Sequence, residues 1–156
     1  GPHALVEFDG WHPTVRTIIG AADRTHRWAL YDREPLETWS VGRVTLLGDA
    51  AHAMLPFMAQ GACQAVEDAA VLARCLGGVR PEAVPAALGQ YEAIRKPRVW
   101  EVQRASWRNA TTYHLPDGES QRERDAAWAA SAARGPYSER GWLFAYDAEA
   151  PVLSTT

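Results

Sequence analysis

In the stretch GRVTLLGDAAHAMLPFMAQGACQAVEDAAVLARCL, residues 42–76, the residues that could do chemistry cluster at the end of one apolar run. Val44 to Leu47 read as a buried strand, Gly48 breaks it, and Asp49 sets an acceptor-only carboxylate at the strand mouth, suited to sugar-like hydroxyls. Gly48 has no Cβ, so a ligand can approach its backbone. After a loop containing Pro56, a helical pattern begins near Gln60. The unpaired N–H groups of its first turn, around Gly61 and Ala62, point at any anion held at the same end. That helix dipole adds about 0.3–1 kcal/mol, or about 2 where partly buried. The combination makes a pocket for a polar cofactor that becomes negatively charged. Taken alone, Gly-Asp after a strand also describes an aspartate that merely caps a turn.

The elements that must hold this pocket are mostly helical. ALVEF, residues 4–8, looks like a strand, WHPTVRTII like a helix with Pro13 near its start, and HRWALY like another strand. The polar connection DREPLETWSVG then feeds the strand from Arg43 to Leu47. In the next helix, Ala62, Ala65, Val66, Ala69, Leu72, Ala73 and Leu76 share one face, Glu67, Asp68 and Arg74 fall elsewhere, and Gly77 and Gly78 end the run. A helix is expected from about Glu82 to Arg95, an interruption or kink at Pro97, and a further helix to about Thr112. HLPDG makes a turn, ESQRERDAAWAASAA a helix, GPYSERGW a loop, and an apolar segment follows around Trp142 to Tyr146. Trp100 and Trp107, seven apart, fit a core stripe.

Composition narrows the function classes. With 47% hydrophobic and 22% charged residues the 156-residue chain can bury a real core. A net charge of −3, with both signs interleaved, offers no basic stripe for nucleic acid and no polybasic segment for a membrane surface. No apolar run approaches the roughly 18–20 residues that span a bilayer, and no signal peptide is evident, so a cytoplasmic protein is expected. Cys63 and Cys75 are expected to be two buried thiols, neither a disulfide nor a metal site. No residue set suggests a metal centre or a catalytic triad. Gly1, Pro2 and His3 fit the scar of a cleaved tag.

Taken together, residues 42–76, GRVTLLGDAAH…P…QG…EDA…L, resemble the second FAD-binding motif of the flavoprotein aromatic hydroxylases. A looser likeness runs through YEAIRKPRVWEVQRASWRNATTYHLPDG to GWLFAYDAE. Nearly all of the chain is thus similar to the C-terminal part of a salicylate-hydroxylase-like or hydroxynicotinate-hydroxylase-like enzyme. The resemblance implies an α+β fragment, mostly helical with a few strands. Residues 4–40 would end the substrate domain, 41–78 form the flavin-facing part of the FAD domain, and 79–156 the C-terminal helical region.

It further implies that Asp49 binds the FAD ribityl chain, with Gly48 beside it as a cofactor-binding glycine, that the backbone at Gly61 and Ala62 meets the flavin pyrimidine edge, and that Pro56 and Phe57 line the isoalloxazine and substrate side. Met54, Phe57 and Met58 would give an apolar wall for one planar ring. The intact enzyme would use NAD(P)H and O2 to hydroxylate a small aromatic acid. No Lys or Arg lies between Arg43 and Arg74, so a counter-ion for that acid must come from elsewhere. His52 is expected to be a structural hydrogen-bonder, Gln60 is undecided, and Glu67 and Asp68 are expected to face arginines of an absent part or solvent. The family's N-terminal G-x-G-x-x-G βαβ unit has no counterpart among the twelve glycines. The fragment is therefore expected to be inactive alone and to self-associate. The rival reading is a non-catalytic helical interaction module with a flavoprotein-like core.

Overall fold

A computed structural model describes residues 2–135 and 140–150. The chain divides into two compact units, Gly1–Leu30 and Tyr31–Thr156. In the first, α1 (Pro2–Glu7) and α2 (Pro13–Gly20) lie side by side. Arg16 of α2 donates one Nη1 to the carbonyls of Leu5 (3.2 Å) and Phe8 (2.9 Å) and to Asp9 (3.0 Å). The expected strand over residues 4–8 is therefore a helix. A short apolar run does not by itself distinguish the two, and among the described residues of this unit there is no strand to pair with it, whereas a guanidinium is available to hold helix-end carbonyls. For the same want of a partner, residues 26–31 form no strand; Trp28 and Tyr31 are both 81% exposed.

The second unit opens with a hairpin, β1 (Ser40–Val41) paired antiparallel with β2 (Val44–Thr45), the strands joined by Gly42-Arg43. Gly42, at φ 59°, supplies the positive φ that such a two-residue turn needs. β2 is shorter and more exposed than the buried strand expected; only Leu46, just beyond it, packs against the core. The one-turn helix α3 (Asp49–His52), a 3₁₀ turn at Pro56–Met58, and α4 (Gly61–Leu76) follow. A second 3₁₀ turn, Pro81–Ala83, leads into α5 (Val84–Tyr113), and α6 (Glu119–Ala133) and the short α7 (Gly141–Phe144) come after it. Part of the GPYSERGW loop, residues 136–139, lies outside the described residues.

α5 is one 30-residue helix, not two broken at Pro97. Its buried residues, among them Leu88, Tyr91, Arg95, Val99, Val102 and Ser106, keep steps of three and four straight through the proline, which sits on the exposed face. The lost hydrogen bond and ring clash cost about 3 kcal/mol. Each fully buried large apolar side chain returns about 1.5–3 kcal/mol, so the packed stripe outweighs the break. The core gathers Trp39, Ala51, Val71, Cys75, Tyr91 and Val99. Trp100 and Trp107 lie only half-buried at its margin.

α4 corrects the expectation most sharply, because it buries Gln64, Asp68, Val71 and Cys75 and turns Ala62, Val66, Ala69 and Ala73 outward. The alanine face carries little area to bury, and the opposite face carries a carboxylate with cations waiting for it. Cys63, expected to be buried, is exposed on the outward side.

Candidate functional site

At the end of β2 the backbone turns through Gly48, at φ 60° and ψ −144°, a conformation that L side chains rarely adopt. Its carbonyl accepts the N–H groups of Ala51 and His52, both at 2.9 Å, and so opens α3 with Asp49 in the first turn. Asp49 is exposed and its carboxylate lies next to the start of α4: a Cβ built on Gly61 would stand 4.0 Å from Asp49 Oδ1 and from Met54 Cγ. No side chain caps α4 at Gln60. The acceptor, the glycine and the uncapped helix start expected from the sequence thus occupy one place. Ala59, just before α4, sits in the left-handed region at φ 52°, strain of about 1–2 kcal/mol that lets the chain reverse into the helix.

Beneath this turn is a buried ionic network that the sequence did not reveal. Asp68 of α4, fully buried, accepts from the Gly48 N–H (2.9 Å), from His52 Nε2 (2.6 Å) and from Arg95 Nε (2.7 Å). Arg95, equally buried, also reaches Glu67 (2.7 Å) and the Gln64 side chain (2.8 Å). Arg98 grips Glu67 through two nitrogens at 2.6 and 2.8 Å, and its remaining N–H groups hold the carbonyls of Trp142 (3.0 Å) and Leu143 (2.9 Å).

Burial works to raise the Asp68 carboxyl, but the bonds from His52, Arg95 and the Gly48 N–H outweigh it and hold it below the usual carboxylate range. Burial likewise opposes ionisation of Glu67, and Arg98 and Arg95 pull it down regardless. Burial and the Asp68 charge push the Tyr91 phenol up, so it stays a neutral donor, to the Leu46 carbonyl at 3.1 Å.

Glu67 and Asp68 therefore pair with arginines of this chain. The available signal was the stripe Gln64, Asp68, Val71, Cys75, which has the same period as the alanine face and loses to it only on hydropathy. His52 is the structural hydrogen-bonder expected; it packs against Trp39 at 5.5 Å between ring centroids, and its Nδ1 has no hydrogen-bond partner among the described residues. The Gln60 side chain accepts from Gln64 Nε2 at 3.4 Å.

α5 also fixes the loop that carries the apolar residues. Gln103 donates to the Ala53 carbonyl (3.2 Å), Ser106 to that of Leu55, and Asn109 to that of Phe57 (3.0 Å). Residues three apart on α5 thereby hold carbonyls two apart on the segment that leads from α3 into the 3₁₀ turn. This ladder holds the segment that carries Met54, Pro56 and Phe57, with Met54 beside Gly61; Pro56 is exposed, Met54 and Phe57 half-buried. The donor set fits the flavin and ribityl half of FAD: backbone N–H groups at a side-chain-free glycine, one open carboxylate and an apolar margin.

Comparison with known proteins agrees with this chemistry. Residues 12–106 match the family model described as FAD binding domain. The 3-amino-4-hydroxybenzoate 2-monooxygenase PtnB3 of Streptomyces platensis is 48% identical over 97% of this chain and 37% of its own length. The 6-hydroxynicotinate 3-monooxygenase of Pseudomonas fluorescens is 51% identical over 65% of this chain and 26% of its own. Among solved structures, Klebsiella pneumoniae HpxO complexed with FAD and uric acid superposes with a TM-score of 0.69 at 32% identity, over 85% of this chain and 34% of that one. A salicylate hydroxylase substrate complex gives 0.65 at 36% identity, over 81% and 32%. The matched region spans 26–37% of the length of these curated relatives.

Proposed function

The chain belongs to the FAD-binding domain family, and from that membership we propose that it is the flavin-facing and C-terminal part of a longer NAD(P)H- and O2-dependent monooxygenase acting on a small, single-ring aromatic acid. Residues 4–40 then end the substrate domain, 41–78 face the flavin, and 79–156 form the C-terminal helices. The observation that carries this is the meeting of the Asp49 carboxylate with the bare start of α4 at Gly61. The relatives named for hydroxybenzoate and hydroxynicotinate support the substrate class.

FAD, when bound, supplies the redox chemistry that passes one oxygen atom from O2 to the ring. The chain's own residues bind and orient. Asp49 accepts from the ribityl hydroxyls and Gly61 allows backbone approach; Gly48, expected to do the same, is buried with its N–H on Asp68 and instead sets the turn from which Asp49 projects. The first N–H groups of α4, at Gly61 and Ala62, stabilise negative charge at the pyrimidine edge. Met54, Pro56 and Phe57 give the ring an apolar wall, held in place by the α5 ladder.

Without a βαβ unit for the pyrophosphate, the 156 residues alone are expected neither to retain FAD stoichiometrically nor to turn over. The test is NAD(P)H oxidation by the full-length protein, with hydroxylated product measured across single-ring acids, neutral phenols and polycyclic compounds. Coupled turnover with single-ring acids is expected. Product from the polycyclic set alone, or a full-length protein that holds no flavin, overturns the reading.

A further inference from the structure

Glu67 and Asp68 are neighbours on α4, and both carboxylates reach the same guanidinium. Arg95 gives Nε to Asp68 Oδ1 (2.7 Å) and Nη1 to Glu67 Oε2 (2.7 Å). Two carboxylates on one buried cation leave a net negative charge inside the protein, and each competes with the other for Arg95. Arg98, three residues further along α5, removes that imbalance. It binds both Glu67 oxygens, so Glu67 is satisfied without drawing Arg95 away, and Arg95 Nε stays on Asp68. That bond sets a direction. A carboxylate is planar, so with Oδ1 held by Arg95 the other oxygen is aimed at the Gly48 N–H (2.9 Å) and at His52 Nε2 (2.6 Å). Gly48 is the residue from which Asp49 leaves the chain.

Arg98 is itself held from the far end of the chain. Its Nη1 donates to the Trp142 carbonyl (3.0 Å), its Nη2 to that of Leu143 (2.9 Å), and its Cζ lies 4.0 Å from the centre of the Tyr146 ring, a cation–π contact. Leu143 is buried, and Arg74 of α4 donates to the Ala148 carbonyl, which fastens the segment beyond Tyr146 as well. Every link from Arg98 through Glu67, Arg95 and Asp68 to Gly48 is a hydrogen bond of 2.6–2.9 Å. We propose that Arg98 is a positioning residue of the flavin site: clamped by residues 142–148, it fixes Asp68 by way of Glu67 and Arg95, and so sets where Asp49 presents its carboxylate. This rests on the reading of Asp49 as the acceptor for the ribityl hydroxyls. Without Arg98 the two carboxylates share Arg95, Asp68 is free to turn, and the Gly48 N–H loses a fixed acceptor.

The test is a double-mutant cycle on FAD affinity in the full-length protein, with Asp49→Ala and Arg98→Met made singly and together. Arg98→Met should weaken FAD binding about ten-fold when Asp49 is present, and by less than about two-fold once Asp49 is alanine, because its effect passes through that carboxylate. A role confined to stability would lower the unfolding midpoint and weaken FAD by the same factor in both backgrounds. That result overturns the proposal, as does Arg98→Met with the parent's affinity. Where Arg98→Met does not fold, the cycle is run with Arg98→Lys, which keeps the charge but lacks the planar fork that grips both Glu67 oxygens; about a three-fold loss is expected, again only when Asp49 is present. An Asp49→Ala protein that binds FAD as the parent does overturns the Asp49 reading and the proposal with it.

Discussion

Asp68 is the residue on which the candidate site turns, although it is not a ligand in the proposed reading. Its carboxylate holds the N–H of Gly48, and Gly48 sets the direction in which Asp49 leaves the chain. Charges this deeply buried persist only when every partner is present. Arg95→Met, which leaves Asp68 and Glu67 short of their cation, should destabilise the chain by about 3–5 kcal/mol, read from urea unfolding. A loss under about 1 kcal/mol would mean that the network contributes little. Asp49→Ala should behave in the opposite way, because the side chain is exposed. In the full-length protein it is expected to weaken FAD binding by about 1–3 kcal/mol with unfolding hardly changed. Flavin retention on dilution equal to that of the parent would remove Asp49 from the site.

Among the elements, α5 does the most positioning. Its first half buries Tyr91 and Arg95 against α4, and its second half holds the segment from Ala53 to Phe57 by the ladder of Gln103, Ser106 and Asn109. A break at Pro97 would set these halves to separate tasks; the continuous helix carries both the ionic network and the apolar wall. Pro97 is exposed and its cost is local, so Pro97→Ala should restore one hydrogen bond and stabilise by up to about 3 kcal/mol. Thermal unfolding measures this. A variant less stable than the parent would show that the proline is needed for the helix axis.

At the scale of the whole molecule, the depressed carboxyls set the response to acid. Asp68, Glu67 and Glu92 all bind a proton less readily folded than unfolded. The unfolded state therefore takes up more protons as pH falls. The stability they contribute is complete above the ordinary carboxylate values near about 4 and is lost as pH drops through their lower folded values. Urea midpoints are expected to hold level from pH 7 to about 5 and to fall steeply below about 4; a midpoint unchanged into strong acid contradicts the network. The molecule also leaves apolar side chains outside. Val41, Val44 and Leu47 around the hairpin and Val66 on α4 are 41–75% exposed. The 156-residue chain alone is expected to associate into dimers or larger species at micromolar concentration, which light scattering checks. A clean monomer throughout that range contradicts it.

What the sequence determined by itself was local. A carboxylate after Gly48, the helix start at Gly61 and the bounds of Glu119–Ala133 are fixed within a few residues, by Cβ sterics, capping and turn chemistry, and were legible for that reason. Tertiary structure decided which of two equally periodic faces α4 buries. It also turned the run from Ala4 to Glu7 into a helix, among described residues of its unit that hold no strand, and carried α5 through a proline. In each case the deciding partner is distant in sequence. Asp68 meets Arg95 across 27 residues and the Ala53 carbonyl meets Gln103 across 50. A pattern of hydropathy along the chain records which residues prefer to leave water. It does not record where the cation that neutralises a buried carboxylate will stand, and in this protein that pairing chose the face.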